Sequence, residues 1–187
     1  MTHLAFVIDL KRCIGCDTCV VGCKVEHRLP EGAFRLQVFD AERAPTPRRP
    51  QGGHPVASQN WLPTMCHNCS DAPCADVCPT TALWRRDEDG LIVLEKDKCV
   101  GCQRCGEACP YDALSFDAHT GTADKCTACD HRRDEGPACA TVCPTGAIHF
   151  GDLHDTDSKV HQLLATHEHR RLNESSQAQS NIYYLAP

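Results

Sequence analysis

Large apolar side chains are scarce in this sequence. Aromatic residues make up 5% of it, and Leu, Ile, Val and Phe together fill less than a fifth of its 187 positions. That supply is too small for the core of an α/β barrel or a doubly wound sheet. With a formal charge of −6, the composition alone leans toward disorder. No stretch approaches the ~18 apolar residues of a membrane-crossing helix. The longest, such as Leu91 to Leu94, are strand-sized. Residues Met1 to Cys13 lack a basic region followed by a long apolar core and a small-residue cleavage site, so no signal peptide is expected. Basic residues are not interleaved with aromatics into a strand-binding groove, and the acidic balance disfavours nucleic acid. No Ser–His–Asp, cysteine–histidine or phosphate-loop motif stands out, so no catalytic site is expected.

Cysteine is what the chain has in excess, at 16 residues. They fall into four groups of four: Cys13, Cys16, Cys19 and Cys23; Cys66, Cys69, Cys74 and Cys78; Cys99, Cys102, Cys105 and Cys109; Cys126, Cys129, Cys139 and Cys143. Each group opens with C-x2-C and closes with C-x3-C. A disulfide scaffold fits poorly, because three thiols are crowded into seven residues and no secretory signal is expected. Zinc also takes four thiolates, but zinc ribbons pair two C-x2-C knuckles. The third group, Cys99-Val-Gly-Cys102-Gln-Arg-Cys105-Gly-Glu-Ala-Cys109-Pro110, is instead the bacterial ferredoxin run for a [4Fe–4S] cluster. Three closely spaced cysteines wrap one face of a cubane, and the fourth leaves the loop toward a second cluster. Pro110 then turns the chain away without an N–H to satisfy. Cys78-Pro79 and Cys143-Pro144 repeat that exit, whereas Lys24 follows Cys23.

The linkers are ferredoxin-like as well. Leu83 and the run Leu91 to Leu94 predict short strands around an acidic turn at Gly90. A similar unit surrounds Thr120-Gly121. Each ferredoxin module needs two groups that exchange their fourth cysteines. Linker similarity allows group two to pair with three, or three with four, and does not choose.

These residues resemble a known family, the four-cluster electron-transfer subunits of the dimethyl sulfoxide reductase family of molybdenum enzymes, including polysulfide, thiosulfate and tetrathionate reductase types. The resemblance covers nearly the whole chain. It runs through Phe6-Val-Ile-Asp-Leu-Lys-Arg-Cys13-Ile-Gly-Cys16, Cys23-Lys24, Arg35-Leu-Gln-Val38, Leu62-Pro-Thr-Met-Cys66-His-Asn-Cys69 and the tail Asn181-Ile-Tyr-Tyr-Leu185. It implies four [4Fe–4S] clusters. Cys13, Cys16 and Cys19 would share one with Cys143; Cys23 would join Cys126, Cys129 and Cys139. Cys66, Cys69 and Cys74 would share one with Cys109; Cys78 would join Cys99, Cys102 and Cys105. Nitrate-reductase relatives have tryptophan at the position of Cys102 and a three-iron cluster, so a cysteine there implies a fourth cubane.

The implied fold is α+β: two bacterial 2[4Fe–4S] ferredoxin-like modules, one inserted in the other, with small antiparallel strands, short helices and long loops. The outer module would take residues 1–55 and 119–187, with a Pro/Gly/Arg-rich loop at about 43–55; the inserted module would take 56–118. The implied function is a non-catalytic wire. It would pass electrons between a large molybdopterin (Mo or W) catalytic subunit, which alone would carry the pterin, and a quinone-reactive membrane-anchor subunit or a soluble carrier. Competing readings are a polyferredoxin subunit of a tungsten aldehyde oxidoreductase or hydrogenase-type complex and, more remotely, a zinc-binding structural module. Without a membrane span or leader of its own, the chain is expected to be soluble, either cytoplasmic or periplasmic by co-export with a signal-bearing partner, and membrane-associated only through another subunit.

Lys11, Arg12, Lys24, Lys98, Arg104, Lys125, Arg132 and Arg133 lie beside the cysteine groups and are candidates to offset cluster charge, although surface solvation accounts for most such residues. His67 and His131 adjoin ligand candidates, but every group already has four thiols. His154, His161, His167 and His169 fall along a polar C-terminal segment where a weakly amphipathic helix is predicted over 159–172. Trp61, Trp84, Tyr111, Tyr183 and Tyr184 are expected to pack near the cysteine groups or under the tail.

Overall fold

The computed structural model describes residues 2–40, 61–174 and 177–186. The Pro/Gly/Arg-rich stretch at 43–55 lies outside the described residues, as does the junction expected near residue 55.

The N-terminal run Leu4-Ala-Phe-Val-Ile-Asp9 forms strand β1, buried along its four central residues. Alternation of side chains sends Ala5 and Val7 to one face and Phe6 and Ile8 to the other. Both faces are covered, which is why the run is continuously apolar. Its chain neighbours are short: helix α1 (Thr18–Glu26), strands β2 (Leu36–Asp40) and β3 (Trp61–Met65), helix α2 (Pro73–Asp76), strands β4 (Leu83–Arg85) and β5 (Ile92–Leu94), and helix α3 (Arg104–Ala108). There follow β6 (Ser115–Phe116), β7 (Ala123–Asp124), helix α4 (Ala138–Thr141), β8 (Ile148–Asp152), helix α5 (Lys159–Thr166), β9 (His169–Arg170) and β10 (Ile182–Leu185).

Four strands form one sheet in the order β8-β1-β10-β9. β8 runs antiparallel to β1, with Ile8 opposite Ile148. β10 runs parallel to β1, with Phe6 opposite Ile182 and Ile8 opposite Tyr184. The expected small antiparallel strands are present in the β1-β8 and β9-β10 pairs and in the other sheets, and the β1-β10 pair makes this sheet mixed. The tail returns beside β1 only after α5 and the segment behind it, a connection long enough to make a parallel pair. The predicted helix over 159–172 stops at Thr166, and His169–Arg170 extends as an edge strand against β10.

One face of this sheet is closed by Val160 and Leu163 of α5 against Ala5, Val7 and Leu185. The other carries Phe6, Ile8, Ile182 and Tyr184 onto Cys19, Cys23, Cys126 and Cys139. The sheet thus joins the two ends of the chain and presents an apolar floor to their cysteines. Fully burying each such Val, Ile or Leu is worth about 1.5–3 kcal/mol. The remaining strands form three two-stranded hairpins, β2-β3, β4-β5 and β6-β7, all antiparallel. The last two turn at Gly90 and Gly121, both in the left-handed region.

Candidate metal centres

The four cysteine groups share one local geometry. In each, the residue before the second cysteine takes positive φ: Gly15 (68°), Asn68 (43°), Gly101 (68°) and Ala128 (51°). The third cysteine lies on a short helix: Cys19 on α1, Cys74 on α2, Cys105 on α3 and Cys139 on α4. A left-handed residue folds the C-x2-C loop back on itself, and the helix then carries the third thiol toward the same point. Glycine adopts this conformation without strain and asparagine tolerates it, whereas Ala128 does so at a cost. Gly15 and Gly101 are also sterically required. A Cβ at Gly15 would fall 2.5 Å from the Trp61 ring, and one at Gly101 2.7 Å from the backbone oxygen of Thr120.

The thiols report on one another. Burial, then the like charges of Cys13, Cys143 and Cys16, push Cys19 up to about 12. Burial and Cys129 push Cys23 up to about 11. Burial pushes Cys139 well above the ordinary thiol value, with Cys126, Cys129, Cys23 and Cys19 adding to it. Burial, Cys66, Cys74 and Cys109 bring Cys69 up to about 12. Cys105 rises mainly through burial, with Cys102 and Cys99 contributing, although backbone N–H groups oppose it. Cys78, Cys99, Cys102 and Cys105 line one cleft, walled by Leu83, Leu94, Val100 and Phe116.

Two cysteines behave oppositely. Burial raises Cys78, but N–H groups of Leu83 and Thr80 and the Thr80 hydroxyl outweigh it, and the thiol ends below its ordinary value. Burial likewise raises Cys143, and Ala147 and Thr145 outweigh it. Both follow from the Cys-Pro-Thr sequence after the proline exit, whose threonine hydroxyls sit 3.8 Å and 3.6 Å from the sulfurs.

Donors surround the sulfurs. The N–H of Ala128 donates to Cys126 Sγ at 3.3 Å, that of Ala138 to Cys129 Sγ at 3.5 Å and that of Ala147 to Cys143 Sγ at 3.3 Å. His27 Nε2 lies 3.2 Å from Cys129 Sγ. Four buried side-chain atoms have no partner among the described residues: Arg35 Nη1, His67 Nε2, Asn68 Nδ2 and Thr127 Oγ1. Three of them belong to C-x2-C loops, and the fourth lies on Arg35, whose charge acts on Cys23 and Cys129. The unpartnered atoms of Arg35, Asn68 and Thr127 are donors, and unsatisfied buried donors are rare and call for an acceptor. The sulfides of an iron–sulfur core are acceptors in the right place. Ionising a quartet of mutually repelling thiols requires a cationic centre among them. A lone zinc would offer the orphaned donors no acceptor, whereas a sulfide-bearing cluster would, so the donor set fits a polynuclear iron cluster better.

The other sequence candidates resolve individually. His67 is buried, stacks on Tyr111 with ring centroids 3.6 Å apart and meets Ser180 Oγ through Nδ1 at 2.7 Å. Burial lowers its pKa to about 3, so it is neutral. His131 pairs with Glu26 at 2.7 Å. His161, His167 and His169 each bond a backbone carbonyl, and His154 meets the ring of His3. Tyr184 is fully buried under the tail and bonds the Pro63 carbonyl. Among the basic candidates, Lys125 is buried, while Lys24 bonds the carbonyls of Pro30 and Ala33. Arg35, Arg86 and Asp124 escaped sequence reasoning. Arg35 grips Asp124 through two bonds of 2.6 and 2.7 Å, and Arg86 grips both Asp89 and Asp130. Asp124 lies 89 residues from Arg35 and Asp130 lies 44 from Arg86, beyond any local pattern; only Asp89, three residues on, is local.

A ferredoxin-type iron–sulfur protein is the class that these loops, thiols and donors define. Residues 57–153 match the model of the 4Fe-4S dicluster domain family. The chain is 40% identical to a tetrathionate reductase subunit of Salmonella typhimurium, over 97% of its own length and 71% of that protein. It is 38% identical to the thiosulfate reductase electron transfer subunit PhsB of Salmonella typhi (98% and 94%) and 39% identical to a polysulfide reductase subunit of Wolinella succinogenes (95% and 91%). It belongs to this family, the iron–sulfur electron-transfer subunits of the molybdopterin oxidoreductases. It is an electron-transfer subunit carrying [4Fe–4S] clusters, and neither a zinc module nor another type of polyferredoxin is supported. Its small strands and short helices are those of a ferredoxin-type domain. Among the described residues no helix is long and apolar enough to cross a membrane.

Proposed function

We propose that the sixteen cysteines hold four [4Fe–4S] clusters in the quartets Cys13/Cys16/Cys19/Cys143, Cys23/Cys126/Cys129/Cys139, Cys66/Cys69/Cys74/Cys109 and Cys78/Cys99/Cys102/Cys105. The observation that carries this reading is that, for Cys19, Cys69, Cys105 and Cys139, the strongest thiol repulsions come from within the same quartet. Each bound cluster supplies a one-electron store, and the chain supplies its ligands, hydrogen bonds and spacing. The first two quartets would form an outer ferredoxin-like module from residues 1–55 and 119–187, with 56–118 inserted. Pairing of β1 with β8 and β10, and packing of α1 on α4, support that nesting.

The quartets form a line. Cys19 acts on Cys139, Cys66 on Cys126, and Cys105 on Cys74, so each quartet has its neighbour within electrostatic reach. Each terminal quartet contains one of the two exposed cysteines, Cys16 or Cys102. Each also carries an exposed apolar tip, Ile14 at 59% and Val100 at 63% exposure. Two such ends suit two partners. A large molybdopterin catalytic subunit would meet one, and a quinone-reactive membrane subunit or soluble carrier the other. The chain has no catalytic role of its own in this reading. It acts on the cytoplasmic side, or in the periplasm by co-export, and meets the membrane through a partner.

Purification of the complex tests this reading. The expected result is a brown protein with about sixteen iron ions on this chain, four resolvable cluster signals on reductive titration, and a pterin-bearing large subunit. A colourless chain with stoichiometric zinc would overturn it.

A further inference from the structure

We infer that Lys125 is a positioning charge at the junction of the two proposed modules, lying between the Cys66/Cys69/Cys74/Cys109 and Cys23/Cys126/Cys129/Cys139 quartets and raising the reduction potentials of both clusters together. The inference rests on the quartets proposed above. Lys125 is 1% exposed. Its Nζ donates to the carbonyl of Cys126 at 2.8 Å and to Asn68 Oδ1 at 3.3 Å. Those acceptors belong to C-x2-C loops of different quartets, Cys66 to Cys69 and Cys126 to Cys129. Asn68 is itself fixed, because the same oxygen accepts the Ile92 N–H at 3.2 Å and its own carbonyl accepts from Asn181.

No carboxylate among the described residues lies within ion-pairing distance of Lys125. Three arginines near the quartets, by contrast, are matched: Arg35 by Asp124, Arg86 by Asp89 and Asp130, Arg132 by Glu26 and Glu135. A buried ammonium without an anion is too costly to keep. Both of its hydrogen bonds end on cysteine loops, so the negative charge within its reach would be that of the two bound clusters. Passage across the junction transfers one electron from a reduced cluster to an oxidised one; no bond forms or breaks, and no proton moves. Lys125 faces both ends of that step, so it favours reduction on either side without setting direction. It also screens the repulsion between two anionic centres.

The test is a potentiometric titration, followed by electron paramagnetic resonance, of the full chain in its complex, as wild type, Lys125→Met and Lys125→Arg. Lys125→Met should lower the reduced-to-oxidised ratio of both junction clusters at least about tenfold at fixed potential, about 59 mV for a one-electron couple. The two terminal clusters should stay put, and Lys125→Arg should restore the wild-type values. A fully loaded Lys125→Met protein with both potentials unchanged, or with one shifted alone, overturns the inference. If Lys125→Met loses the iron of the junction quartets, retention in Lys125→Arg supports a charge role, and loss in both overturns it. Fewer than four cluster signals in the wild type is a separate outcome that strikes the quartets themselves.

Discussion

Two regions of this chain carry the same cysteine arithmetic on different supports. Around Cys13–Cys23 and Cys126–Cys143 the thiol loops rest on a four-stranded sheet whose residues Val7, Ile8, Ile182 and Tyr184 are completely buried. Around Cys66–Cys109 only Cys66 and Leu91 reach that sheet's core, and the rest is supported by two hairpins and a small cluster of Ala72, Leu83, Ile92, Ala123 and Ala178 with Cys69 and Cys105. In the first region apolar burial can hold a scaffold to which metal is added. In the second, too little apolar surface is buried for that, and metal-binding energy must serve as folding energy. The shortage of large apolar side chains is therefore not evenly shared along the chain.

Removing the iron should break this symmetry most visibly. After chelation under reducing conditions, amides of residues 66–109 are expected to lose hydrogen-exchange protection, while β1, β8 and β10 retain part of theirs. Exchange read by mass spectrometry decides it, and uniform loss across both regions would erase the distinction drawn here.

Next come the two loop glycines, one in each region. Gly15 and Gly101 have the same φ of 68°, but the atoms waiting for a Cβ differ: a Trp61 ring for Gly15, the Thr120 backbone for Gly101. A ring can turn aside; a backbone oxygen cannot without moving the β6-β7 turn. Gly101→Ala should cost more than about 3 kcal/mol and the iron of one quartet. Gly15→Ala should cost about 2 kcal/mol, chiefly the left-handed strain. Iron content and melting temperature of the two variants compare them directly, and equal losses would count against the distinction.

A clasp joins the regions. Arg86 and Asp89 of the β4-β5 turn meet Asp130 and Arg133 after Cys129, at 2.6–3.1 Å. Burial raises the Asp89 pKa, but Arg86, the Leu91 N–H and Arg133 outweigh it and hold the carboxyl below its ordinary value. A depressed folded-state pKa means the stabilisation is complete above about pH 4 and fades as pH falls through the folded value. Asp89→Asn should cost about 3 kcal/mol at neutral pH, because Arg133 and Arg86 lose a nearly buried partner. It should also flatten the acid limb of the stability curve. An unchanged acid limb in denaturant titrations would show that the clasp does not couple the regions.

How much of this was legible beforehand depended on distance along the chain. The C-x2-C loops and the hairpin around Gly90 are local, and spacing announced them, whereas the helices that carry the third cysteines were not singled out. The strands at Leu4–Asp9 and Ile182–Leu185 were also visible as apolar runs, yet nothing in either run states that they lie parallel. That depends on the path through α5, whose end at Thr166 the periodicity overshot. Lys125 was legible as a charge beside a cysteine, but burial without a carboxylate is a tertiary fact. Arg35 and Asp124 were invisible for the same reason. The left-handed Ala128 had no sequence signal, since alanine rarely takes that conformation; only its alignment with Gly15, Asn68 and Gly101 reveals it.

The smallest difference expected between the regions concerns one hydroxyl in each. Tyr184, fully buried in the sheet, donates to the Pro63 carbonyl at 3.0 Å and so ties β10 to β3. Tyr111, stacked on His67 in the inserted region, reaches the carbonyls of Leu172 and Ala178 at 3.3 Å each and is only half-buried. Removing the hydroxyl leaves the ring packing intact in both. Tyr184→Phe strands a carbonyl where water cannot reach, at a cost of about 1–1.5 kcal/mol, while Tyr111→Phe gives up one hydroxyl shared over two longer bonds, at about 0.5 kcal/mol. Chemical denaturation of the iron-loaded variants measures the gap. If Tyr111→Phe costs as much as Tyr184→Phe, the inserted region has a rigid polar core of its own and depends less on its metal than its apolar content implies.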